Sequence, residues 1–200
     1  MLIAKDLKPC HPELIKKLEK GEMRIISITG NQAALVDDCD YEYLNRWKWQ
    51  LKKGSRTYYA ERPAGSKRNR EKIIMHRLIL GLSKGDGVIV DHRNRNGLDN
   101  RRSNLRIATH QQNSANSRKH SDASMSRYKG VYWEADRCKW RAYIYFTNQS
   151  GVKKKIWLGR FDREEDAAAA YNHKAVELFG TFASPNNIRG YGSSWGRVPS

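Results

Sequence analysis

The residues of this sequence best suited to chemistry are Asp91 and His92, adjacent in the stretch VDHRNRNGLDNRRSNLRIATHQQNSAN, with Asn104 and Asn113 further along it. Asp91 offers a hard carboxylate oxygen to a divalent cation. The side-chain carbonyl of Asn113 offers a second, neutral oxygen, leaving other positions for water and phosphate oxygens. His92 titrates near neutral pH, so its neutral imidazole can take a proton from an attacking water while a metal stabilises charge on the phosphate and the leaving oxygen. Asn104 cannot titrate and is expected to hydrogen-bond the loop that holds His92 in position. Together these are the roles needed for one-metal hydrolysis of a phosphodiester. The cation expected is Mg²⁺-like, with Mn²⁺ as an alternative, and no structural zinc is expected.

Three separated segments must be brought together to make such a site. Residues 88–90 read as a short β run ending at Asp91. Asn94, Asn96, Gly97 and Asn100 supply loop chemistry, and residues 105–108 read as the returning strand. Thr109 followed by Gln112 is a capping-box start for a helix carrying Asn113 and Asn116. An Asp-His pair alone is common where strands turn, and Asn-rich loops often need only tolerance of left-handed backbone. The whole pattern carries more than either part.

The block from Met75 to Asn116, with its MHR, VDH, NGLDN, SNLR and HQQN pieces, resembles the HNH homing endonucleases of phages and mobile introns. The resemblance implies that Asp91 and Asn113 bind metal, that His92 is the general base and that Asn104 is structural. The third motif letter is Asn113 and not histidine, which leaves His110 as a competing ligand. His76, in MHRLIL, alternates with apolar neighbours and reads as a packed or phosphate-contacting residue. His11, His120 and His173 show no partner spacing.

Composition agrees with a nucleic-acid partner. The chain has 38 Lys plus Arg against 21 Asp plus Glu, a net charge of +17 over 200 residues. Residues 1–50 hold eight basic and eight acidic side chains, so the whole excess lies in residues 51–200. Such a surface gains affinity for a polyphosphate by counterion release. Neither an amphipathic anchor nor a long apolar run points to a membrane. Cys10, Cys39 and Cys138 are scattered and form no Cys-x-x-Cys pair, so no disulfide framework is expected and a reducing cytoplasm fits. The N-terminus lacks signal-peptide architecture. With the resemblance to phage proteins, this implies action in the cytoplasm of a bacterial host.

The remaining elements read as supports. Pro12 to Lys20 could form a short helix. From Arg24 the pattern becomes β: RIISIT, AALVD, an aromatic section with Tyr41, Tyr43, Trp47 and Trp49, then TYYAER and EKIIMHRLIL. The aromatics are expected to fill a thin core. Between the last two strands a basic turn, PAGSKRNREK, offers Lys67, Arg68 and Arg70 to DNA phosphates. After a Ser-rich linker come YKGVYWEA, KWRAYIYF and KKKIWLGRF, three expected antiparallel strands, then a helix in DREEDAAAAYNHKAVELFG. Asp162 could cap that helix, and Gly180 sits where it should stop. Ala167, Ala170, Tyr171, Ala175 and Leu178 form its expected buried face.

Residues 126–187, with YKGV, WLGRF, DAAAAY and a closing FG followed by an Asn pair, resemble the ethylene-response-factor type of DNA-binding domain. The resemblance implies a sheet laid in the major groove with the helix behind it. Strand alternation turns Ala142 and Ile144 toward the helix, and Arg141, Tyr143 and Tyr145 toward DNA. By the family pattern Lys129, Tyr132, Lys155 and Trp157 join that surface. The plant domains use arginines where this chain has Tyr132, Tyr143 and Tyr145, so their target sequence does not carry over.

The expected fold is α+β. It runs as a β-rich N-terminal module (1–74), a ββα-metal nuclease unit (75–117), a linker (118–126), a three-stranded antiparallel sheet packed on one helix (127–187) and a tail (188–200). The expected function is a metal-dependent DNA endonuclease targeted by its C-terminal domain; one catalytic centre per chain implies a nick by a monomer, and a dimer could break both strands. Removing that domain should leave the chemistry intact. The alternatives are a DNA-binding regulator with an inactive nuclease fold, and a single-stranded-RNA binder, against which RNA competition would discriminate.

Overall fold

A computed structural model describes residues 23–65, 71–117 and 126–188. The helix expected over Pro12 to Lys20, the turn cations Lys67, Arg68 and Arg70, linker residues 118–125 and the tail from 189 lie outside the described residues. The described chain is mixed α and β, with four small antiparallel sheets, three short α-helices and one of 16 residues among the described residues. It divides into two compact units, Met1–Ala108 and Thr109–Ser200. The division runs through the segment read as one nuclease unit.

In the first unit, β1 (Met23–Ile28) and β2 (Gln32–Asp37) form a hairpin in which Ile26 pairs with Ala34. Period-two alternation buries Ile26 and Ile28 and leaves Ile25 exposed. The aromatic section expected to be β begins instead with a helix, α1 (Asp38–Leu44). Aromatic content favours strands, but Asp38 and Asp40 stand in the first turn, where the helix dipole welcomes negative charge. Trp49 is 1% exposed and its Nε1–H donates to the Leu44 carbonyl at 2.9 Å. This satisfies one carbonyl that the end of α1 leaves open.

β3 (Gln50–Lys53), β4 (Tyr58–Ala64) and β5 (Glu71–Ile74) make a three-stranded sheet in that order. The run EKIIMHRLIL was expected to continue as strand; it turns into α2 (Met75–Ile79) after Ile74. Met75 and Ile79, four apart, are both almost completely buried, a helical repeat too short for sequence periodicity to separate from a buried strand. The core joins Ile26, Val36, Leu44, Trp49, Met75 and Ile79. β6 (Ile89–His92) and β7 (Leu105–Ala108) form the last hairpin of this unit.

The second unit opens with α3 (His110–Ala115), whose Thr109 and Gln112 make the expected capping box. β8 (Val131–Glu134), β9 (Lys139–Thr147) and β10 (Lys153–Phe161) follow, with β9 central. Helix α4 (Glu164–Phe179) packs on this sheet through Ala167, Ala168, Tyr171 and Ala175. Ala168 is buried there, whereas Ala170, which was expected inward, is only half-buried. Asp162 does not cap the helix: Arg163 is the N-cap residue, without a side-chain cap bond, and Asp162 pairs with Lys139. Gly180 closes the helix as expected, with φ of 50°.

Cys39 is disulfide-bonded, contrary to the expectation from scattered cysteines, because chain path and not sequence spacing decides which sulfurs meet. Cys138 is free and exposed. Among the described residues no helix is long and apolar enough to cross a membrane.

Candidate functional site

The β6–β7 register places Asp91 opposite Arg106 and His92 opposite Leu105. Asp91 and His92 are 4% and 5% exposed, so both candidate side chains turn away from bulk water. Arg106 Nε donates to Asp91 Oδ2 at 2.8 Å, and Nη2 lies 2.7 Å from the same oxygen. Sequence reasoning missed Arg106. The signal was available in the strand pairing, which puts the second residue of SNLRIA's strand across from the aspartate.

Asn104 ties the intervening loop to itself. Its Oδ1 accepts from the Asn94 N–H at 3.0 Å, and its Nδ2 donates to Asn94 Oδ1 at 3.0 Å and to the Asp99 carbonyl at 2.7 Å. The Arg93 N–H donates to the Asn104 carbonyl, and the Arg95 N–H to that of His92. Asp99 is 1% exposed and receives Arg101 Nε and Nη2 at 2.7 and 2.6 Å. Arg102 is gripped by residues far upstream: its N–H donates to Asp37 Oδ2 at 2.6 Å and its guanidinium to both oxygens of Asp40 at 2.8 Å. The N-terminal hairpin and α1 therefore set the loop, a role that the balanced charges of residues 1–50 did not reveal.

His92 stands in an aromatic surround. The His76 ring centre is 5.0 Å away at 86°, and Tyr59 touches both imidazoles, at 5.4 Å from His76 and 5.9 Å from His92. Two glycines hold Tyr59. A Cβ at Gly97 would lie 2.4 Å from the Tyr58 carbonyl oxygen and 2.7 Å from the Tyr59 ring, and a Cβ at Gly54 would lie 2.6 Å from that ring. Burial lowers the pKa of His92 below the ordinary histidine value, against the pull of Asn100, Asp91 and Asp99. Burial first, then His92, Arg77 and Lys52, push His76 down to about 3. Both rings are thus neutral at pH 7, the form in which an imidazole can accept a proton.

Asn113 is exposed on α3, in the second unit. Among the described residues no three His, Cys, Asp or Glu side chains come together as a metal cage. By chemistry alone, the buried Asp91 carboxylate and the exposed Asn113 amide are each the kind of oxygen donor that a hard cation takes while keeping most of its waters. His110 is exposed and lines a groove of the second unit with Tyr132 and Tyr145.

On the sheet of the second unit, Tyr132, Arg141, Tyr143, Tyr145, Lys155 and Trp157 share one face. Tyr143 meets Tyr132, Tyr145 and Trp157 at ring distances of 5.6, 5.5 and 5.9 Å. Arg141 lies 3.7 Å over Trp157, and Lys155 lies 3.6 Å over Trp157 and 4.1 Å over Tyr143. The face is therefore a mosaic of rings and cations, with Ala142 and Ile144 buried behind it. Sequence reasoning missed two more members, Lys153, 4.5 Å over Tyr145, and Arg160. Arg160 regains the face through the register shift between Trp157 and Gly159, and shares Glu134 with Arg141. Lys129 stands apart, its ammonium bonded to the carbonyls of Ala115 and Ser117.

Comparison with known proteins accords with this geometry. The HNH endonuclease family model matches residues 74–115. An uncharacterised HNH endonuclease of Acanthamoeba polyphaga mimivirus is 35% identical over 155 residues, 78% of this chain and 75% of the relative. An ethylene-responsive transcription factor of Arabidopsis thaliana is 29% identical over 99 residues, 50% of this chain and 59% of the relative. No solved structure matches the chain.

Proposed function

The chain belongs to the HNH endonuclease family, and from that premise we propose that it hydrolyses phosphodiester bonds of duplex DNA with one divalent cation and His92 as general base. The observation that carries this reading is the buried Asp91-His92 pair at the end of β6, with its loop tied by Asn104. Asp91 and Asn113 would hold the cation, Mg²⁺ or Mn²⁺, which supplies charge stabilisation to the phosphate and leaving oxygen. His92, neutral through burial, takes the proton of the attacking water. Tyr59 and His76 fix its ring plane, and Asn104 fixes the loop that follows it. Arg106 holds the Asp91 carboxylate from the neighbouring strand.

The C-terminal sheet is proposed as the targeting surface, read as an ethylene-response-factor type domain of residues 127–187 that presents Tyr132, Arg141, Tyr143, Tyr145, Lys155 and Trp157 to the major groove. The gathering of aromatic rings and cations on one face, with Arg141 and Lys155 over Trp157, supports this. Lys67, Arg68 and Arg70 are proposed as further phosphate contacts. The chain acts as a monomer inside a phage host, a reading that rests on the family resemblance because the Cys39 disulfide removes the argument from reduced cysteines, and one catalytic centre per chain makes a nick.

One observation favours a binding-only protein: Arg106 already neutralises the proposed metal carboxylate. Cleavage of supercoiled plasmid with Mg²⁺, Mn²⁺ or EDTA decides between the readings. Metal-dependent nicking lost in His92→Ala and Asp91→Ala supports the nuclease. Inert wild type that still shifts duplex DNA would sink it.

A further inference from the structure

The resemblance to the plant domain assigns Lys129 to the DNA surface, but the structure gives its ammonium other work. Lys129 Nζ donates to the main-chain carbonyls of Ala115 at 2.7 Å and Ser117 at 2.9 Å, and lies 5.6 Å from the centre of the Tyr171 ring. Ala115 is the last residue of α3, where carbonyls lack partners within the helix and a cation complements the dipole. The main chain of Lys129 is fixed independently. Its N–H donates to Asn186 Oδ1 at 2.7 Å, and its carbonyl accepts from Asn186 Nδ2 at 3.1 Å. Asn186 exchanges two bonds of its own with Asn172 of α4, at 2.6 and 2.9 Å. A second tie lies at the other end of α3, where the Thr147 N–H of β9 donates to Gln111 Oε1 at 3.1 Å.

We infer that Lys129 is a positioning residue of the nuclease: it clamps α3, and with it Asn113, to the sheet proposed to bind DNA and to the helix behind that sheet. The amide ligand and the DNA-reading face then move as one body. The inference rests on the reading of Asn113 as a metal ligand. It replaces the expectation of a detachable targeting module, because a chain ended at Ser117 would lose the Lys129 clamp together with the DNA face. A phosphate contact would place the Lys129 ammonium toward solvent on the aromatic face. Here it is turned onto helix carbonyls, and Tyr171 behind it is buried.

The test uses the full chain with Lys129→Met, Lys129→Arg and Asn113→Ala. Three quantities are measured: Mn²⁺ binding by calorimetry without DNA, duplex affinity in EDTA across a salt series, and amide hydrogen exchange over residues 110–117. Lys129→Met is expected to weaken Mn²⁺ binding by about 10-fold, the lower range for losing a group that supports a metal ligand. Exchange over 111–117 should rise, and duplex affinity should stay within about 3-fold with an unchanged salt slope. Lys129→Arg keeps a cation at the carbonyls and should stay near wild type. If Lys129→Met does not fold, Lys129→Gln carries the same comparison.

A salt slope shallower by about one, with Mn²⁺ binding and exchange unchanged, would return Lys129 to the phosphate contacts and overturn the inference. If Asn113→Ala leaves Mn²⁺ binding intact, the reading of Asn113 as a ligand fails by itself. The clamp then stands or falls on exchange alone: protected amides over 111–117 in Lys129→Met would reject it.

Discussion

Arg106 directs two nitrogens at a single oxygen of Asp91, Oδ2, at 2.8 and 2.7 Å, and both side chains are at least nine-tenths buried. A buried charge left alone is costly, whereas a buried pair replaced by apolar groups is often tolerated. Arg106→Leu should therefore lower stability by about 3–5 kcal/mol. The double variant Arg106→Leu/Asp91→Leu should recover most of that loss. Urea unfolding at pH 7 measures both. A single variant as stable as wild type would show that the pair does not hold the β6–β7 hairpin.

His76 provides a pH prediction. Burial, with His92 next, holds its pKa at about 3, so the folded protein keeps it neutral while the unfolded chain protonates it below the ordinary 6.5. Its contribution to stability is fully present above pH 6.5 and is lost as pH falls from there toward 3. The loss from His76 at pH 5 is about 2 kcal/mol at 1.36 kcal/mol per pH unit. His92 acts in the same direction. Urea midpoints at pH 7 and pH 5 should separate more in wild type than in His76→Phe, which keeps a ring but cannot titrate. Equal separations would mean that His76 is not held neutral.

Gly97 packs against Tyr59, whose ring meets that of His92, the proposed base. A Cβ there would lie 2.4 Å from a backbone oxygen and 2.7 Å from the Tyr59 ring, and the backbone cannot easily give way. Gly97→Ala should cost about 1–3 kcal/mol of stability, the range for overpacking. In a plasmid-nicking assay it should lower kcat with little change in KM, because the Tyr59 ring packs on that of His92, the proposed base. A change confined to KM would contradict this placement.

Lys155→Ala should weaken binding to all duplexes alike and make the salt slope shallower by about one, since the ammonium reads charge and not bases. Glu134 should act oppositely. It bonds both Arg141 and Arg160, so Glu134→Ala removes a negative charge and releases two guanidiniums. Non-specific affinity should rise while preference for a selected target over random DNA falls. Gel-shift titrations on both DNAs test this, and unchanged discrimination would remove Glu134 from the reading surface.

Much of the local structure around the candidate site was legible because it follows local rules. The capping box at Thr109 and Gln112, the return strand at Leu105–Ala108 and the alternation that buries Ala142 and Ile144 depend on periods of a few residues. Elements that broke the expectation were short or ambiguous. Asp38–Leu44 is helical despite its aromatics, and Met75–Ile79 is helical at the end of an apolar run. In the first, burial of Leu44 against the Trp49 core outweighs the strand preference of the aromatics; in the second, the helical repeat is too short for its period to be read.

The sequence by itself determined the order of the candidate Asp91, His92, Asn104 and Asn113 side chains, the charge that favours a polyphosphate and the two patterns shared with an HNH endonuclease and an ethylene-responsive transcription factor. Tertiary structure alone decided the partnerships. It paired Arg106 with Asp91, set His76 and Tyr59 around His92, brought Asp37 and Asp40 to Arg102 and turned Lys129 from the sheet face onto α3. The physical reason is range. Hydrogen-bonded turns, caps and strand alternation are fixed by neighbours in the chain, whereas ion pairs and ring contacts depend on where separated segments meet once apolar burial has folded them together.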